Sequence, residues 1–262
     1  MFKKVLVFVI IGAFILGLGL AGCGKQADSP DGQASEEVKE LIIGSDTAFA
    51  PFEYQDEKSQ EYVGFDMDLI EAIGQQMGYE VNVQGMPFDG LIPGLEAGSI
   101  DAVISAMTIT EERAKKVNFS KPYYKSGLTI VVKSDNTTIK SFEDLEGKKI
   151  AVQIGTTGSN TAKTIKDAEI REFNTAPEAF LELKAGGVDA VINDKPVNDY
   201  YITQMGGKDG KTVGEPLTAE DYGIATAKKN TELAQMIDNA LEELRSNGEY
   251  AKIYEKWFGK EQ

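Results

Sequence analysis

The chain has 262 residues, a net charge of −15, no histidine and a single cysteine. The lack of histidine excludes Ser-His-Asp and Cys-His catalysis as well as histidine metal sites, and one cysteine cannot form an intramolecular disulfide. The acidic charge argues against nucleic acid as a partner, and we expect no catalytic residues, no metal and no other cofactor.

The N-terminus has the pattern of a secretory signal sequence. A short basic stretch, residues 1–4, precedes residues 5–20, which are apolar and uncharged. The run ends in Leu20-Ala21-Gly22-Cys23, which resembles the bacterial lipobox, in which the cysteine becomes the lipidated first residue of the mature protein. The alternative is an uncleaved anchor with an incidental cysteine. We expect a lipoprotein signal peptide over residues 1–22 and a lipid on Cys23 that holds the protein at the extracytoplasmic face of the cell membrane.

A polar stretch follows the cysteine. Residues 23–38 are rich in glycine, serine and acidic side chains and have little to bury, so we expect a flexible tether. Cleavage after residue 22 removes Lys3 and Lys4 and leaves a charge of −17. That charge is compatible with a cationic ligand but does not identify one.

The remaining part, about 220 residues, is long enough for one large domain or two small ones. Its first half alternates strands and helices. Strands are predicted at residues 41–44, 81–83 and 101–104, and helices at 65–78 and 91–97, with a further helix from Thr110. A β-α-β-α-β series of this kind implies a parallel sheet.

The same series recurs in the second half. Strands are predicted at residues 149–152, 170–173 and 188–192, with helices at 158–165 and 177–184. The sequence LEAGSIDAVI at 95–104 is echoed by LKAGGVDAVI at 183–192. The echo suggests two similar lobes, although helix-glycine-strand turns can resemble one another without kinship.

Two strand-like stretches, residues 128–133 and 222–227, are predicted to cross between the lobes, and a C-terminal helix over 232–244 returns to the first lobe. We therefore expect a hinge near Val132-Lys133-Ser134 and near residues 219–222. The predicted division is residues 39–132 with 222–262 for lobe 1, and residues 133–221 for lobe 2.

Seven motifs between residues 41 and 259 resemble, in order, those of the polar amino-acid-binding proteins of ABC importers. They are Ala50-Pro51-Phe52-Glu53, Val63-Gly64-Phe65-Asp66-Met67-Asp68-Leu69, Phe88-Asp89-Gly90-Leu91, Ser105-Ala106-Met107-Thr108-Ile109-Thr110-Glu111-Glu112-Arg113, Phe119-Ser120-Lys121-Pro122-Tyr123-Tyr124, Val152-Gln153-Ile154-Gly155-Thr156-Thr157-Gly158 and Ala190-Val191-Ile192-Asn193-Asp194. Lys121 departs from the family, which usually has Asp there. The resemblance implies an α/β, two-lobed type II periplasmic binding protein fold, in which each lobe is a mixed, mostly parallel sheet flanked by helices and the lobes are joined by a two-strand hinge.

An amino-acid ligand needs partners for both of its charges when lobes close over it. Arg113 is a candidate clamp for the carboxylate, although its spacing also suits a surface pair with Glu111 or Glu112. It follows a capping-box pattern, Thr108-x-x-Glu111. The turn at residues 155–158 offers backbone N–H groups to an anion, or it is an ordinary strand-helix turn.

Asp194 ends a predicted strand and either caps the next turn or faces the cleft. The resemblance makes it the partner of the ligand's ammonium, aided by Ser105 and Thr108. It also makes Phe49 and Phe88 the walls of a slot whose end is read by Asp46 and Gln153. The full set of ligand-binding residues that we predict is Asp46, Phe49, Phe88, Ser105, Ala106, Met107, Thr108, Arg113, Gln153, Thr156, Thr157 and Asp194.

Aromatic faces beside a carboxylate suit a guanidinium, and glutamine-preferring relatives tend to have Lys where Gln153 stands. The resemblance is therefore closest to arginine-binding members, and the favoured ligand is arginine, then lysine, with glutamine as the rival. It implies a monomeric substrate-binding protein that delivers its amino acid to the transmembrane subunits of an ABC permease. The alternatives are a dehydratase-type enzyme on the same fold and the sensor domain of a kinase.

Overall fold

The computed structural model describes residues 39–204 and 208–260. The predicted signal peptide, the lipidation site Cys23 and the predicted tether lie outside the described residues. Within the described residues, none of the helices combines the length and the apolar character needed to span a bilayer.

The described residues form strands and helices in the alternating order that the sequence predicts. The strands are β1 (Lys39–Ser45), β2 (Ala48–Phe49), β3 (Glu53–Gln55), β4 (Tyr62–Val63), β5 (Tyr79–Gly85), β6 (Ala102–Val103), β7 (Val117–Phe119), β8 (Tyr124–Ser126), β9 (Leu128–Lys133), β10 (Lys149–Gln153), β11 (Glu169–Phe173), β12 (Ala190–Asp194), β13 (Gly210–Val213), β14 (Glu220–Tyr222) and β15 (Ala225–Ala227). The helices are α1 (Phe65–Met77), α2 (Leu91–Ala97), α3 (Glu111–Ala114), α4 (Thr157–Ala162), α5 (Ala176–Ala185), α6 (Lys195–Gln204), α7 (Thr231–Ser246) and α8 (Glu249–Phe258), with 3-10 turns at Phe88–Gly90 and Glu143–Leu145.

The first lobe is built on a five-stranded sheet of order β5-β1-β6-β15-β7. Strand β1 is parallel to β5 and β6, whereas β15 runs antiparallel to β6 and β7. Helices α1, α7 and α8 pack on one another, while α2 packs against β1, β6 and β15. Helix α1 buries Phe65, Leu69, Ile70 and Ile73, the helical spacing that the sequence predicted.

The second lobe repeats this plan in a sheet of order β11-β10-β12-β9-β13. Strand β10 is parallel to β11 and β12, and β9 runs antiparallel to β12 and β13. Helix α5 packs on β10 and β12. It begins with a capping box formed by Thr175 and Glu178.

The two segments with similar sequence, residues 95–104 and 183–192, also have similar structure. Helices α2 and α5 both end at a glycine in the left-handed region, Gly98 with φ 73° and Gly186 with φ 79°. The aspartate that follows each glycine turn then fixes its strand to the neighbouring parallel strand, β1 or β10. Asp101 Oδ2 accepts the N–H of Ile42, and Asp189 Oδ2 accepts the N–H of Lys149, both at 2.9 Å. The two-lobed α/β fold is confirmed.

The first crossing between the lobes differs from the prediction. Residues 128–132 were assigned to the first lobe, but β9 pairs with β12 and β13 in the second sheet. That boundary and the hinge expected at Val132-Lys133-Ser134 are therefore wrong. The reason is that an apolar run such as Leu128–Lys133 indicates a buried strand without indicating which sheet it joins.

The first crossing lies a few residues earlier, at β8, whereas the second, at β14, lies within the predicted residues 219–222. Strands β8 and β14 pair antiparallel in a two-stranded sheet of their own, with Tyr124 opposite Tyr222 and Ser126 opposite Glu220. The rings of Tyr124 and Tyr222 stack 5.7 Å apart, and both contact Phe52, which is completely buried. The two connections therefore lie side by side against the aromatic core of the first lobe.

Candidate ligand-binding site

The carboxyl ends of β1 and β10, the second strand of each five-stranded sheet, meet between the lobes. In the two sheets, Ile43 of β1 pairs with Ala102 and Ile150 of β10 pairs with Ala190, so the lobes have equivalent registers. Asp46, just past β1, and Gln153, the last residue of β10, therefore occupy equivalent positions. Gln153 Nε2 donates to Asp46 Oδ2 and, at 3.0 Å, to the carbonyl of Asn174.

A small cavity lies beside this contact. It is lined by residues of both lobes, all of them in the predicted set. These are Phe49, Phe88, Ala106, Thr108, Arg113, Gln153, Thr156, Thr157 and Asp194. The other three predicted residues, Asp46, Ser105 and Met107, do not line it.

Arg113 connects the two lobes. Its guanidinium donates to the carbonyl of Thr108 at 2.8 Å and to the carbonyl of Gly155, on the opposite lobe, at 3.0 Å. The ring of Phe88 lies 5.1 Å from the guanidinium carbon. Throughout the described chain no carboxylate forms an ion pair with Arg113, so the alternative of a surface pair with Glu111 or Glu112 does not hold. Burial lowers the pKa of this guanidinium, and the charges of Glu220, Asp194 and Glu112 partly offset that effect. Both of its hydrogen bonds go to neutral carbonyl groups.

The predicted capping box at the start of α3 is wrong. The residue that caps this helix is Thr110, whose hydroxyl accepts the N–H of Arg113 at 3.2 Å. Thr108 lies outside the helix, and its carbonyl is thereby free to accept from the Arg113 guanidinium. Either threonine can cap a helix, but only Thr108 has a glutamate three positions later, so the capping-box pattern indicated the wrong threonine.

Asp194 ends β12 and faces the cavity rather than capping a turn. Its Oδ1 accepts the hydroxyl of Tyr222 at 2.6 Å and lies 3.4 Å from the hydroxyl of Ser126. Burial, and then the charge of Glu220, raises the pKa of Asp194 to about 7. A carboxylate that is this reluctant to ionise without a partner is favourable for binding a cation.

A buried chain of hydrogen bonds through Ser105 and Glu53 positions Asp46. Its N–H donates to Ser105 Oγ at 2.9 Å, and the same hydroxyl donates to Glu53 Oε1 at 2.9 Å. Burial raises the pKa of Asp46 to about 6, partly offset by the hydrogen bond from Gln153. Ser105 therefore positions Asp46 and does not line the cavity.

Two further predicted residues act through the backbone. Ala106 lines the cavity with φ 42°, a strained conformation for alanine, and its N–H donates to Asp66 Oδ2 at 2.8 Å. The side chain of Met107 is buried in a core cluster with Leu91 and Leu95. It supports the loop, and its carbonyl accepts the N–H of Gly223.

The three phenylalanines near the site differ in role. Phe49 and Phe88 line the cavity, whereas Phe52 is completely buried in the core. The turn at residues 155–158 leads into α4, where Thr156 is the cap and its hydroxyl accepts the N–H of Ser159 at 3.1 Å. In the described part of the chain no cluster of three or more cysteine or acidic side chains has the arrangement of a metal site.

Glu220 was not predicted, yet it contacts two of the cavity residues. It is 8% exposed, and its Oε2 accepts the hydroxyls of Thr108 at 2.6 Å and Thr157 at 3.0 Å. Its place in a crossing strand, with no local motif, carried no signal.

Residues 41–260 match the model for bacterial extracellular solute-binding proteins, family 3. The chain belongs to that family. The resemblance stated from the seven motifs is thereby confirmed.

Among family 3 relatives, the arginine-binding extracellular protein ArtP of Bacillus subtilis is 34% identical over 98% of both chains. The ABC transporter glutamine-binding protein GlnH of the same organism is 35% identical over 97% of both chains. Relatives with different ligands are therefore similarly close to this chain, so overall identity does not select between arginine and glutamine.

Solved structures agree on the fold. An ancestral arginine-binding protein bound to arginine is 48% identical, with a TM-score of 0.82 over 84% of this chain and 98% of its own. The ancestral amino acid-binding protein AncCDT-1, a precursor of cyclohexadienyl dehydratase, is 42% identical, with a TM-score of 0.78 over 84% of this chain and 95% of its own. These relatives show that the chain is an amino-acid-binding solute-binding protein.

Proposed function

We propose that this protein is the extracytoplasmic binding component of an amino-acid ABC importer. It binds one polar L-amino acid between its lobes, arginine in preference to lysine, and delivers it to a permease. The observation that carries the proposal is the composition of a single cavity. Arg113, a cation without a carboxylate partner, and Asp194, a buried acid, both line it.

The carboxylate of the ligand is assigned to Arg113. A guanidinium has five N–H donors. Arg113 donates hydrogen bonds to two carbonyl oxygens only. A ligand carboxylate supplies the missing negative charge, and a charge-assisted pair is stronger than the neutral contacts already present. The stacking of Phe88 on the guanidinium restricts its orientation.

The ammonium of the ligand is assigned to Asp194. One oxygen of this carboxylate is engaged by Tyr222 and Ser126, and its raised pKa shows that burial penalises the charge. The ammonium group of a ligand in contact with Asp194 would neutralise the charge of this buried carboxylate. This assignment gives the two lobes opposite tasks, since Arg113 belongs to the first and Asp194 to the second.

The side chain of the ligand is assigned to the slot between Phe49 and Phe88 that leads to Asp46 and Gln153. Gln153 Oε1 is buried and has no hydrogen-bond partner in the described chain. A guanidinium or ammonium supplies donors to that oxygen and to Asp46, whereas a glutamine amide supplies fewer and no charge. Arginine is therefore favoured over glutamine.

Calorimetric titration of protein that was stripped of endogenous ligand tests the proposal. We expect arginine to bind most tightly, lysine next and glutamine least. D-arginine serves as the control, because its side chain points away from Asp46 when carboxylate and ammonium are held. Tighter binding of glutamine than arginine would reject the arginine preference, and binding of none of them would reject the function.

A dehydratase activity is the second candidate, because AncCDT-1 is described as a precursor of such an enzyme. An enzyme needs a proton-transfer group in place of the ammonium partner, and this chain has no histidine. Incubation with prephenate or arogenate, followed by product detection, decides the point. We expect no turnover.

Attachment to the membrane through lipid on Cys23 completes the proposed function. Stable anchoring requires two or more acyl chains. We expect Cys23→Ser to be released from the membrane or to be misprocessed. Normal membrane retention of that variant with its signal peptide removed would reject the anchor.

A further inference from the structure

Glu220 is a buried carboxylate that joins both lobes and the crossing strands. It lies on β14, and its Oε2 accepts the hydroxyl of Thr108 from the first lobe at 2.6 Å and that of Thr157 from the second lobe at 3.0 Å. Its Oε1 accepts the hydroxyl of Thr218 at 3.1 Å. These three contacts use both oxygens.

The direction of these hydrogen bonds is fixed by chemistry. A carboxylate has no hydrogen to donate, and a threonine hydroxyl has one. When Thr108 and Thr157 donate to Glu220, each retains only lone pairs for any other partner. Both line the cavity, so both hydroxyls are hydrogen-bond acceptors there. An acceptor suits an ammonium and repels a carboxylate.

The same strand also orients the second acid. Residues 220 and 222 lie on one face of an extended strand, and the Tyr222 hydroxyl donates to Asp194 at 2.6 Å. Asp194 and Glu220 are close enough for the charge of Glu220 to raise the pKa of Asp194. One short strand thus positions two acids and two acceptor hydroxyls, and Thr108, Thr157 and Asp194 all line the cavity.

We propose that Glu220 is a specificity residue that makes the cavity around Asp194 selective for the α-ammonium group. It does so by fixing the hydroxyls of Thr108 and Thr157 as acceptors and by adding a negative charge beside Asp194. The inference rests on the proposed function and deepens it. The ligand class is then L-amino acids with a free α-ammonium, and not 2-oxo, 2-hydroxy or des-amino acids of the same side chain.

The test compares L-arginine with 5-guanidinopentanoate, which lacks only the α-ammonium. In Glu220→Gln the negative charge is lost, and an amide NH₂ replaces one of the two acceptor oxygens that hold Thr108, Thr157 and Thr218. We expect the preference for arginine to fall by about tenfold or more. Glu215→Gln is the matched control, because it removes one negative charge from an exposed residue close by. Its preference should equal that of the unaltered protein.

Two results would overturn the inference. One is an unchanged preference in Glu220→Gln, and the other is an equal weakening of both ligands, which is what a purely structural role predicts. Thr157→Val supplies a second test if the glutamine variant does not fold. It should weaken arginine more than 5-guanidinopentanoate, whereas equal weakening would show that the hydroxyl donates to the carboxylate and would reject the inference. Unaltered protein that binds no amino acid would instead reject the proposed function itself.

Discussion

The two lobes share a frame and differ at the ends of their strands. In both lobes a helix ends at a left-handed glycine, and an aspartate fixes the strand that follows. That strand runs parallel to β1 in the first lobe and to β10 in the second. After the shared Asp-Ala-Val-Ile, the first lobe continues with Ser105 and Ala106, and the second with Asn193 and Asp194. The frame therefore sets where a residue lies, and the residue at the strand end sets its chemistry.

The ends of strands β1 and β10 show the same contrast. Asp46 and Gln153 occupy equivalent positions and contact one another across the lobes, but one is an acid and the other a neutral amide. Carboxyl ends of parallel strands meet at one edge of each sheet, where ligands of open α/β folds bind. Two such edges that face each other bring four strand ends to one site.

The largest expected effect comes from making the lobes alike. Asp194→Ala gives the second lobe the residue that the first lobe has at the equivalent position. Loss of a buried charged partner typically costs about 2–5 kcal/mol, so we expect affinity for every L-amino acid to fall by about 30-fold or more. Calorimetry measures this, with circular dichroism to show that the variant is folded. An affinity within about threefold of the unaltered protein would remove Asp194 from the site.

The next effect tests the contribution of the first lobe. Arg113→Lys keeps the charge but loses the planar fork that binds two carboxylate oxygens together. Arginine, lysine and glutamine should all weaken by similar factors, about tenfold or more, because all three have the same carboxylate. Competition titrations against the three ligands measure the factors. If none of the three affinities changes, Arg113 does not hold the carboxylate.

A selective effect is expected at the equivalent pair. Asp46→Asn removes the charge that meets a cationic side chain, so arginine and lysine should lose about tenfold more affinity than glutamine. The three titrations are repeated on the variant, with glutamine as the internal control. Equal losses for all three ligands would place Asp46 beside the ligand backbone or give it a structural role only.

The smallest effect is a dependence on pH. Burial raises the pKa of Asp194 to about 7 and of Asp46 to about 6, both above the ordinary value of 3.8. The folded, ligand-free protein thus binds more protons than the unfolded chain between about pH 4 and 7, and these groups make its free energy of unfolding fall as pH rises through that range. A cationic ligand restores the ionised forms, so the rise in melting temperature with arginine should be larger at pH 8 than at pH 5.

Melting curves with and without arginine at these two pH values measure the difference. Asp46→Asn should lose part of the dependence and serves as the control. An increase in melting temperature that is the same at both pH values would show that neither acid ionises on binding.

The order of strands and helices in each lobe could be predicted from the sequence, because short local patterns indicate it. The glycine after each helix, the aspartate after each turn and the apolar strands between them are read within ten residues. The membership of Leu128–Lys133 could not be predicted, since pairing with β12 and β13 depends on partners far along the chain. Periodicity describes a strand but not its neighbours.

The site divides in a similar way. Residues within recognisable motifs, such as Arg113 and Asp194, could be proposed from the sequence, and the structure brings both to one cavity. The contact of Gln153 with Asp46 spans 107 positions, and the hydrogen bonds to Glu220 span up to 112. Such contacts exist only once both lobes are folded. For this reason Glu220 has no signature in its own segment.

The central claim is that two similar frames close on one L-amino acid, and small-angle scattering tests it most directly. A ligand that contacts both lobes favours the closed arrangement by its differential affinity. The full chain, stripped of endogenous ligand, is measured with and without saturating L-arginine, with D-arginine as the control. We predict a smaller radius of gyration with L-arginine, with little change for D-arginine. An identical scattering curve with arginine, lysine, histidine and glutamine, together with an unchanged melting temperature, would contradict the account.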